Sequence, residues 1–375
     1  MKLLYVTDQV YLHGGAEKIL IQKLNYWADV YGYDVTLLTS VQKGKAPFFP
    51  LSSKVKMHDL KMGYPDGTLY HPKNFYLFRK QFKRLESFID AYKPDAVFVL
   101  SQSLFHIITP FAAKTIPTYY EYHTSWYGFK LGFDRLSGIK KIKAKVIRRI
   151  ADYAESRYTK IVYLNQAEFD HFKLKNAVII PNFFDVLEQR QPRNPKKIAI
   201  SLGRLSFQKG YDLLIEAWKQ VDTQIDGWQM HVYGNGELRE KLVRDAAAHK
   251  FKNPLHFFEA IDNINEKLSQ ASLYVMSSRF ETFPMVLLEA LSNQVPVVSF
   301  DCPTGPRSIL TENEDGLIVP PLDVKALADA IVAIAGDEQK RLSMGAAGLK
   351  NVSRFSPESV MQQWDSLIRS NKNTN

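Results

Sequence analysis

A single cysteine, Cys302, stands among 375 residues. One thiol excludes an internal disulfide and any cluster of cysteine ligands around a metal. No apolar run approaches the ~20 residues that a membrane-spanning helix requires. The amino-terminal MKLLYVTDQV breaks its short apolar run at Asp8, which suits a first β-strand and is too brief for a secretory leader. Low-complexity tracts are missing as well. These absences give the expectation of a soluble, cytoplasmic chain. What is present is a folding composition, 45% hydrophobic and 13% aromatic, in a length that calls for two domains rather than one core.

Charge is in excess of one sign, with a formal net of +10, and it is unevenly placed. Residues 71–84 hold Lys73, Arg79, Lys80, Lys83 and Arg84 without an acid. Residues 130–149 hold Lys130, Arg135, Lys140, Lys141, Lys143, Lys145, Arg148 and Arg149 against Asp134 alone. Phe75, Tyr76, Phe78 and Phe82 interleave with the first set, and Ile139, Ile142, Val146, Ile147 and Ile150 with the second. Both stretches, 73–84 and 130–149, fit basic amphipathic helices on an anionic membrane surface. Solvated helix faces are the plainer alternative. No nucleic-acid-binding motif accompanies the cations, so nucleic acid is not an expected partner.

Short apolar runs alternate with helical patterns twice over. In the first half, strands are expected at 3–7, 35–39, 96–101, 118–122, 161–164 and 178–181, with helices at 16–30, 74–92, 102–113 and 136–157. The polar, proline-containing QRQPRNPKK at 189–197 reads as a linker. The rhythm restarts with strands at 198–202, 229–233, 256–258, 273–276 and 297–300 and a helix at 211–221. Near-continuous apolar strands separated by helices predict parallel sheets covered on both faces, with ligands at the strands' carboxyl ends.

Loops at those ends carry the candidate chemistry. After 198–202 comes SLGRLSFQKG, in which Gly203 ends the strand and Arg204 and Lys209 precede a helix. Two cations there can hold a doubly charged group such as a diphosphate; two solvated cations are the other reading. Gly234 and Gly236 follow the next strand and permit close backbone approach or a tight turn. Arg239 stands where a third fingerprint glycine would be. In SSRFETFPMVLLEAL, Thr282 suits an N-cap or near-cap position and Pro284 a first helical turn. Glu281 then stands just before the helix and Glu289 about one turn inside. Their carboxylates can accept hydrogen bonds from sugar hydroxyls, or be two exposed acids flanking a helix start. After the first strand, Gly14, Gly15 and Glu17 open a helix, as a ligand approach or a glycine-rich turn. His123 and Ser125 end another strand; His123 can partner an incoming hydroxyl or be structural.

In concert these elements resemble glycosyltransferase family 4, retaining enzymes of the GT-B fold. The resemblance rests on G-R-L-x-x-x-K-G at 203–210, G-x-G-x-L at 234–238 and E-x7-E from Glu281 to Glu289, continuing into E-A-L and a P-V-V strand at Pro296. It implies two Rossmann-like, doubly wound parallel-sheet α/β domains facing a central cleft. The expected division is an acceptor domain at 1–188, a nucleotide-sugar donor domain at 189–355, and a helix at 356–375 packing back on the first domain. By the same resemblance Arg204 and Lys209 bind the donor diphosphate, Glu289 the ribose, and Glu281 the hexose. The backbone of Thr282, Phe283 and Pro284 contacts sugar or phosphate, and Gly15, Gly203 and Gly234 complete the donor site. Gly14, Glu17, His123 and Ser125 are implied on the acceptor side, with His123, Glu281, Arg204 and Lys209 catalytic. Pro181, Asn182 and Asp185 fall where relatives place a hinge segment.

Cys302-Pro-Thr-Gly-Pro306 resembles a variant found in bacterial transferases that use UDP-linked sugars. Glu259-Ala260 departs from a Gly-Arg common among relatives, which bears on the nucleobase contacts. There is no Asp-x-Asp, so neither metal nor cofactor is expected. The implied activity is retaining transfer of a hexose or N-acetylhexosamine, UDP-linked, to a hydroxyl of a glycan or lipid-linked acceptor in bacterial polysaccharide or glycoconjugate assembly. The expected location is cytoplasmic, with peripheral attachment to the membrane's inner face left open. A nucleotide-sugar 2-epimerase on the same architecture and a non-catalytic nucleotide-sugar-binding protein are the alternatives. A nicotinamide oxidoreductase is disfavoured, since Gly-x-Gly-x-x-Gly is missing after the first strand.

Overall fold

The computed structural model describes residues 1–62, 75–100, 103–185, 195–261 and 263–372. The chain divides into two compact units, Met1–Phe183 with Pro357–Asn375, and Phe184–Ser356. Lys73, residues 189–194 of the expected linker and Ser101 of an expected strand lie outside the described residues.

The first unit runs β1 (Lys2–Thr7), α1 (Gly15–Asp29), β2 (Asp34–Thr39), β3 (Lys56–Asp59), α2 (Phe75–Tyr92), β4 (Ala96–Val99), α3 (Leu104–Ala112), β5 (Thr118–Tyr122), α4 (Trp126–Asp134), α5 (Gly138–Glu155), β6 (Lys160–Tyr163), α6 (Gln166–Phe172) and β7 (Ala177–Ile179). Its seven strands pair in parallel in the order β3-β2-β1-β4-β5-β6-β7. Alternate residues of each strand feed opposite cores. Leu3 and Tyr5 face Trp27 of α1 and Trp364 of the C-terminal helix. Leu4 and Val6 face Leu85 of α2 and Phe105 of α3. Tyr5 stacks on Phe98 at 4.4 Å and accepts the Trp27 indole N–H at 2.9 Å, which satisfies the polar ends of both buried rings.

The second unit runs β8 (Ile198–Leu202), α7 (Tyr211–Val221), β9 (Gln229–Tyr233), α8 (Arg239–Ala247), β10 (Leu255–Phe258), α9 (Ile264–Gln270), β11 (Leu273–Met276), α10 (Met285–Ser292), β12 (Val297–Phe300), α11 (Pro306–Ile309), β13 (Gly316–Val319), α12 (Val324–Ala335) and α13 (Glu338–Val352). The last helix, α14 (Pro357–Lys372), belongs to the first unit. The six strands are again all parallel, ordered β10-β9-β8-β11-β12-β13. Trp218 of α7 is fully buried in this core and donates its indole N–H to the Asn253 carbonyl at 2.8 Å. Burying a side chain of that kind contributes about 1.5–3 kcal/mol.

Both sheets reverse strand order beside their first strand, between β1 and β4 and between β8 and β11. That reversal opens a crevice at the strands' carboxyl ends, where ligands of doubly wound sheets bind. Each unit is thus a Rossmann-like α/β domain, as expected. Several elements, α6 and α11 among them, differ from the sequence expectation. The helix expected at 136–157 is α5, preceded by a separate α4; residues 135–137 divide the two, and Gly138 opens α5 with φ +52°. Strands β3 and β13 were not foreseen. The first is largely exposed KMHD and carries no apolar run. Among the described residues no helix is long and apolar enough to cross a membrane.

Candidate active site

The crevice of the second unit is made by the loops after β8 and β11. The chain leaves β8 through Gly203 and Arg204, makes a 3-10 turn at Phe207–Lys209, and enters α7 through Gly210. Gly210 has φ +65°, and a Cβ there would lie 2.1 Å from the Ser277 carbonyl oxygen. Only glycine lets the two loops approach this closely. Gly234 does the same for the loop after β9, since a Cβ on it would lie 1.9 Å from the Gly203 carbonyl oxygen. Backbone bonds from Leu205 to Asn235 (2.9 Å) and from Leu238 to Leu205 (3.0 Å) bind that loop to the first.

Lys209 and Glu281 meet across this junction, Nζ to Oε1 at 2.6 Å. Ser278 Oγ donates to the same carboxylate oxygen at 2.6 Å, and Gln208 Nε2 lies 3.5 Å from the other. The Thr304 hydroxyl donates to the Glu281 carbonyl, so the residue is gripped at side chain and backbone. Glu281 is 5% exposed. Arg204 is exposed, and among the described residues its guanidinium has no hydrogen-bond or ion-pair partner. The loop thus presents one cation fixed to an acid and one open to an anion.

Arg279, which sequence reasoning passed over, staples the two loops. Its guanidinium takes Asp212 of α7 in a bidentate pair (2.8 and 2.6 Å), donates to the Phe207 carbonyl at 3.0 Å and lies 4.3 Å above the Phe207 ring. Burial alone would raise Asp212; the hydrogen bonds and charge of Arg279 outweigh it and hold the carboxyl below its ordinary range. Ser278, Gln208 and Thr304 were missed too. Their signal was only nearness to Lys209 and Glu281 on loops that the sequence separates.

Helix α10 begins at Met285, with Pro284 in the cap position. Thr282 stands two residues before the cap, the near-cap alternative, and Pro284 stands just outside the first turn rather than in it. Proline's fixed φ, here −73°, suits the entry to the helix. Phe283 is buried edge-on against Phe355 at 5.7 Å. Glu289 sits half-buried on α10. Burial drives the Tyr274 phenol well above its ordinary pKa, with Tyr211 and then the charges of Glu281 and Glu289 adding to the shift. The CPTGP loop closes the floor, where a Cβ on Gly305 would lie 2.9 Å from both Glu281 Cβ and Pro284 Cδ. Burial likewise raises the Cys302 thiol well above its usual range, with Glu281 adding and Lys209 opposing.

In the first unit Gly14 caps α1, and Glu17, three residues on, folds back over it. Glu17 accepts from Gln9 Nε2 at 2.9 Å, while Gln9 Oε1 accepts the Leu12 N–H at 2.9 Å; the acid thus orders the loop after β1. Gly15 is the first helical residue. Ser125 caps α4, accepting the Tyr127 N–H at 3.2 Å. His123 lies with its Nε2 3.3 Å from Glu121 Oε2. That same oxygen accepts from Lys23 Nζ at 2.5 Å, and the ammonium sits 4.1 Å from the centre of the Trp364 ring. Glu121 is 1% exposed and Lys23 2%. Burial opposes the Glu121 charge, but Lys23 and His123 more than offset it and hold its pKa below the usual value.

Two parallel Rossmann-like units are the architecture of the GT-B glycosyltransferases, though not of them alone. Residues 184–351 match the family model described as glycosyl transferases group 1. The chain is 24% identical over 383 residues to the amylovoran biosynthesis glycosyltransferase AmsD of Erwinia amylovora, covering 98% of this chain and 99% of the relative. It is 23% identical over 371 residues to the GalNAc-alpha-(1->4)-GalNAc-alpha-(1->3)-diNAcBac-PP-undecaprenol alpha-1,4-N-acetyl-D-galactosaminyltransferase of Campylobacter jejuni, covering 96% of each. The structure of Anabaena HepE in complex with UDP and glucose superposes with a TM-score of 0.74 at 18% identity, over 99% of this chain and 100% of that one. The second unit is a glycosyl transferases group 1 domain, and the chain is a glycosyltransferase.

Proposed function

We propose that the chain is a retaining, metal-independent glycosyltransferase. It moves a hexose or N-acetylhexosamine from a UDP-sugar to a hydroxyl of a glycan or lipid-linked acceptor in bacterial polysaccharide or glycoconjugate assembly. The observation that carries this reading is the 2.6 Å Lys209–Glu281 pair at the carboxyl ends of β8 and β11, beside the open guanidinium of Arg204. A nucleoside diphosphate leaving group brings negative charge that Arg204 and Lys209 can neutralise as it develops. Glu281, locked by Ser278 and Thr304, is assigned to the hexose hydroxyls. Glu289 is assigned to the ribose, the backbone at Thr282, Phe283 and Pro284 to sugar or phosphate, and Gly15, Gly203 and Gly234 to close approach of the donor.

Gly14, Glu17, His123 and Ser125 are assigned to the acceptor, His123 as partner of the incoming hydroxyl. Support for UDP comes from the CPTGP segment and from the UDP held by HepE. Support for a lipid-linked acceptor comes from the undecaprenol-linked glycan in the name of the Campylobacter relative. The proposed location is cytoplasmic and peripheral, at an anionic membrane surface. Arg204→Ala, Lys209→Ala and Glu289→Ala are each expected to cut UDP release from the donor sharply. Wild-type kinetics in all three would overturn the site assignment.

A further inference from the structure

The two basic stretches fold differently. Helix α2 turns Leu77, Gln81, Leu85 and Ile89 into the core, so its cations form an ordinary outer face. Lys83 pairs there with Glu86 at 2.9 Å, and Arg84 donates to the Leu60 carbonyl at 2.5 Å. Helix α5 is anchored from its other side. Ala151, Ala154 and Glu155 are buried, and Glu155 takes Arg148 Nη2 at 2.6 Å and His106 Nε2 at 3.1 Å.

Ala144 and Ile147 are half-buried on that side, while five other apolar residues of α5 face outward. Ile139, Ile142, Val146, Ile150 and Tyr153 are 72%, 63%, 51%, 48% and 57% exposed. At 3.6 residues per turn these five fall within an arc of about 80°. Lys143 and Arg149 each lie about 20° beyond its two edges, with Lys145 further out. Among the described residues Lys143, Lys145 and Arg149 have no ion-pair partner.

An apolar stripe bordered on both sides by unpaired cations matches an interface that is apolar within and anionic at its rim. A second copy offers the wrong charge, since it would set lysine against lysine. We propose that α5 lies on an anionic lipid surface. Ile139, Ile142, Val146, Ile150 and Tyr153 enter the acyl boundary, Lys143, Lys145 and Arg149 meet the headgroups, and α2 takes no part. This deepens the proposed function by naming the surface on which an acceptor is met.

The test is co-sedimentation of the full chain with vesicles of phosphatidylglycerol or of phosphatidylcholine, without donor. Binding to phosphatidylglycerol is expected to be at least about tenfold stronger and to fall with added salt. Ile142→Glu combined with Val146→Glu, both at exposed positions, lowers it by about tenfold or more, whereas Arg79→Ala with Lys80→Ala leaves it within about twofold. Equal binding to both lipids overturns the proposal. So does wild-type binding by the α5 variant, or a wild-type dimer in solution that the α5 variant loses. UDP release on a soluble acceptor, measured without vesicles, reports the enzymatic reading separately, so failure of either is seen without the other.

Discussion

Lys209 and Glu281, 72 residues apart in sequence, hold each other at 2.6 Å, with 19% of the lysine side chain and 7% of the glutamate exposed. The pair draws the loop after β8 to the loop after β11. It also positions a cation without spending a neutralising anion from solvent.

Removing one partner is expected to cost more than removing the charge of the other. Lys209→Ala leaves Glu281 nearly buried and unpaired, and destabilises by about 1–3 kcal/mol. Glu281→Gln keeps the Ser278 bond and costs less. UDP release falls about 10²-fold in the lysine variant, the size of loss seen when an electrostatic stabiliser is removed. Urea unfolding and a nucleoside diphosphate assay on the two variants check both parts.

Arg204 and Arg279 separate function from structure. Arg204→Ala removes an exposed cation and changes stability by no more than about 0.5 kcal/mol, while UDP release falls about tenfold or more. Arg279→Ala breaks the clamp on Asp212 and the Phe207 carbonyl, and destabilises by about 1–3 kcal/mol. Unfolding midpoints measured beside turnover distinguish them; equal midpoints for the two variants would contradict the assignment of Arg279 to the loop staple.

The buried Lys23–Glu121 pair gives a double-mutant test. Lys23→Met leaves the Glu121 charge buried without its cation and costs about 3–5 kcal/mol. Adding Glu121→Gln removes that charge, so the double variant is more stable than the Lys23→Met single. Denaturant unfolding of the four proteins in the cycle measures it. A double variant as unstable as the sum of its singles would show that the two side chains do not act as a pair.

His231 sets a pH dependence. Burial first, then the neighbouring His256 and Lys267, lower its pKa to about 4. The unfolded chain binds this proton below about 6.5, whereas the folded chain does not until about 4, so stability is lost as pH falls through that window. His231→Gln removes this contribution, about 1–2 kcal/mol after allowance for the ring's partial exposure, and flattens the stability profile between pH 6.5 and 4. An unchanged slope in the variant would contradict it.

Much of the fold was legible because buried parallel strands are nearly continuous in apolar residues. IAISL, LYVM and VVSF are such runs, QMHVY alternates polar with apolar, and the structure places β8, β11, β12 and β9 on those same residues. β3 was not legible, because an edge strand with exposed lysine and histidine carries no hydrophobic period. Nor was α4, whose two glycines and lack of buried residues leave no stripe. At the site, Arg204, Lys209, Glu281 and Glu289 stood out as charges at loop and helix starts. Their partners did not. Ser278 and Thr304 matter through contacts made only after folding, and nothing in the sequence of α1 marks Lys23 as the lysine that packs on Trp364 of α14. The basic stretches looked alike in composition; burial of one apolar face and exposure of the other separated them.

The most direct test of the central claim is UDP release by the wild type and by Arg204→Ala, using a panel of UDP-sugars with a glycan acceptor in the presence of a metal chelator. Release by the wild type that the chelator leaves unchanged, reduced tenfold or more (~1.4 kcal/mol of transition-state stabilisation) by loss of Arg204, is the result predicted. A requirement for divalent metal, or an Arg204→Ala rate equal to wild type, would contradict it.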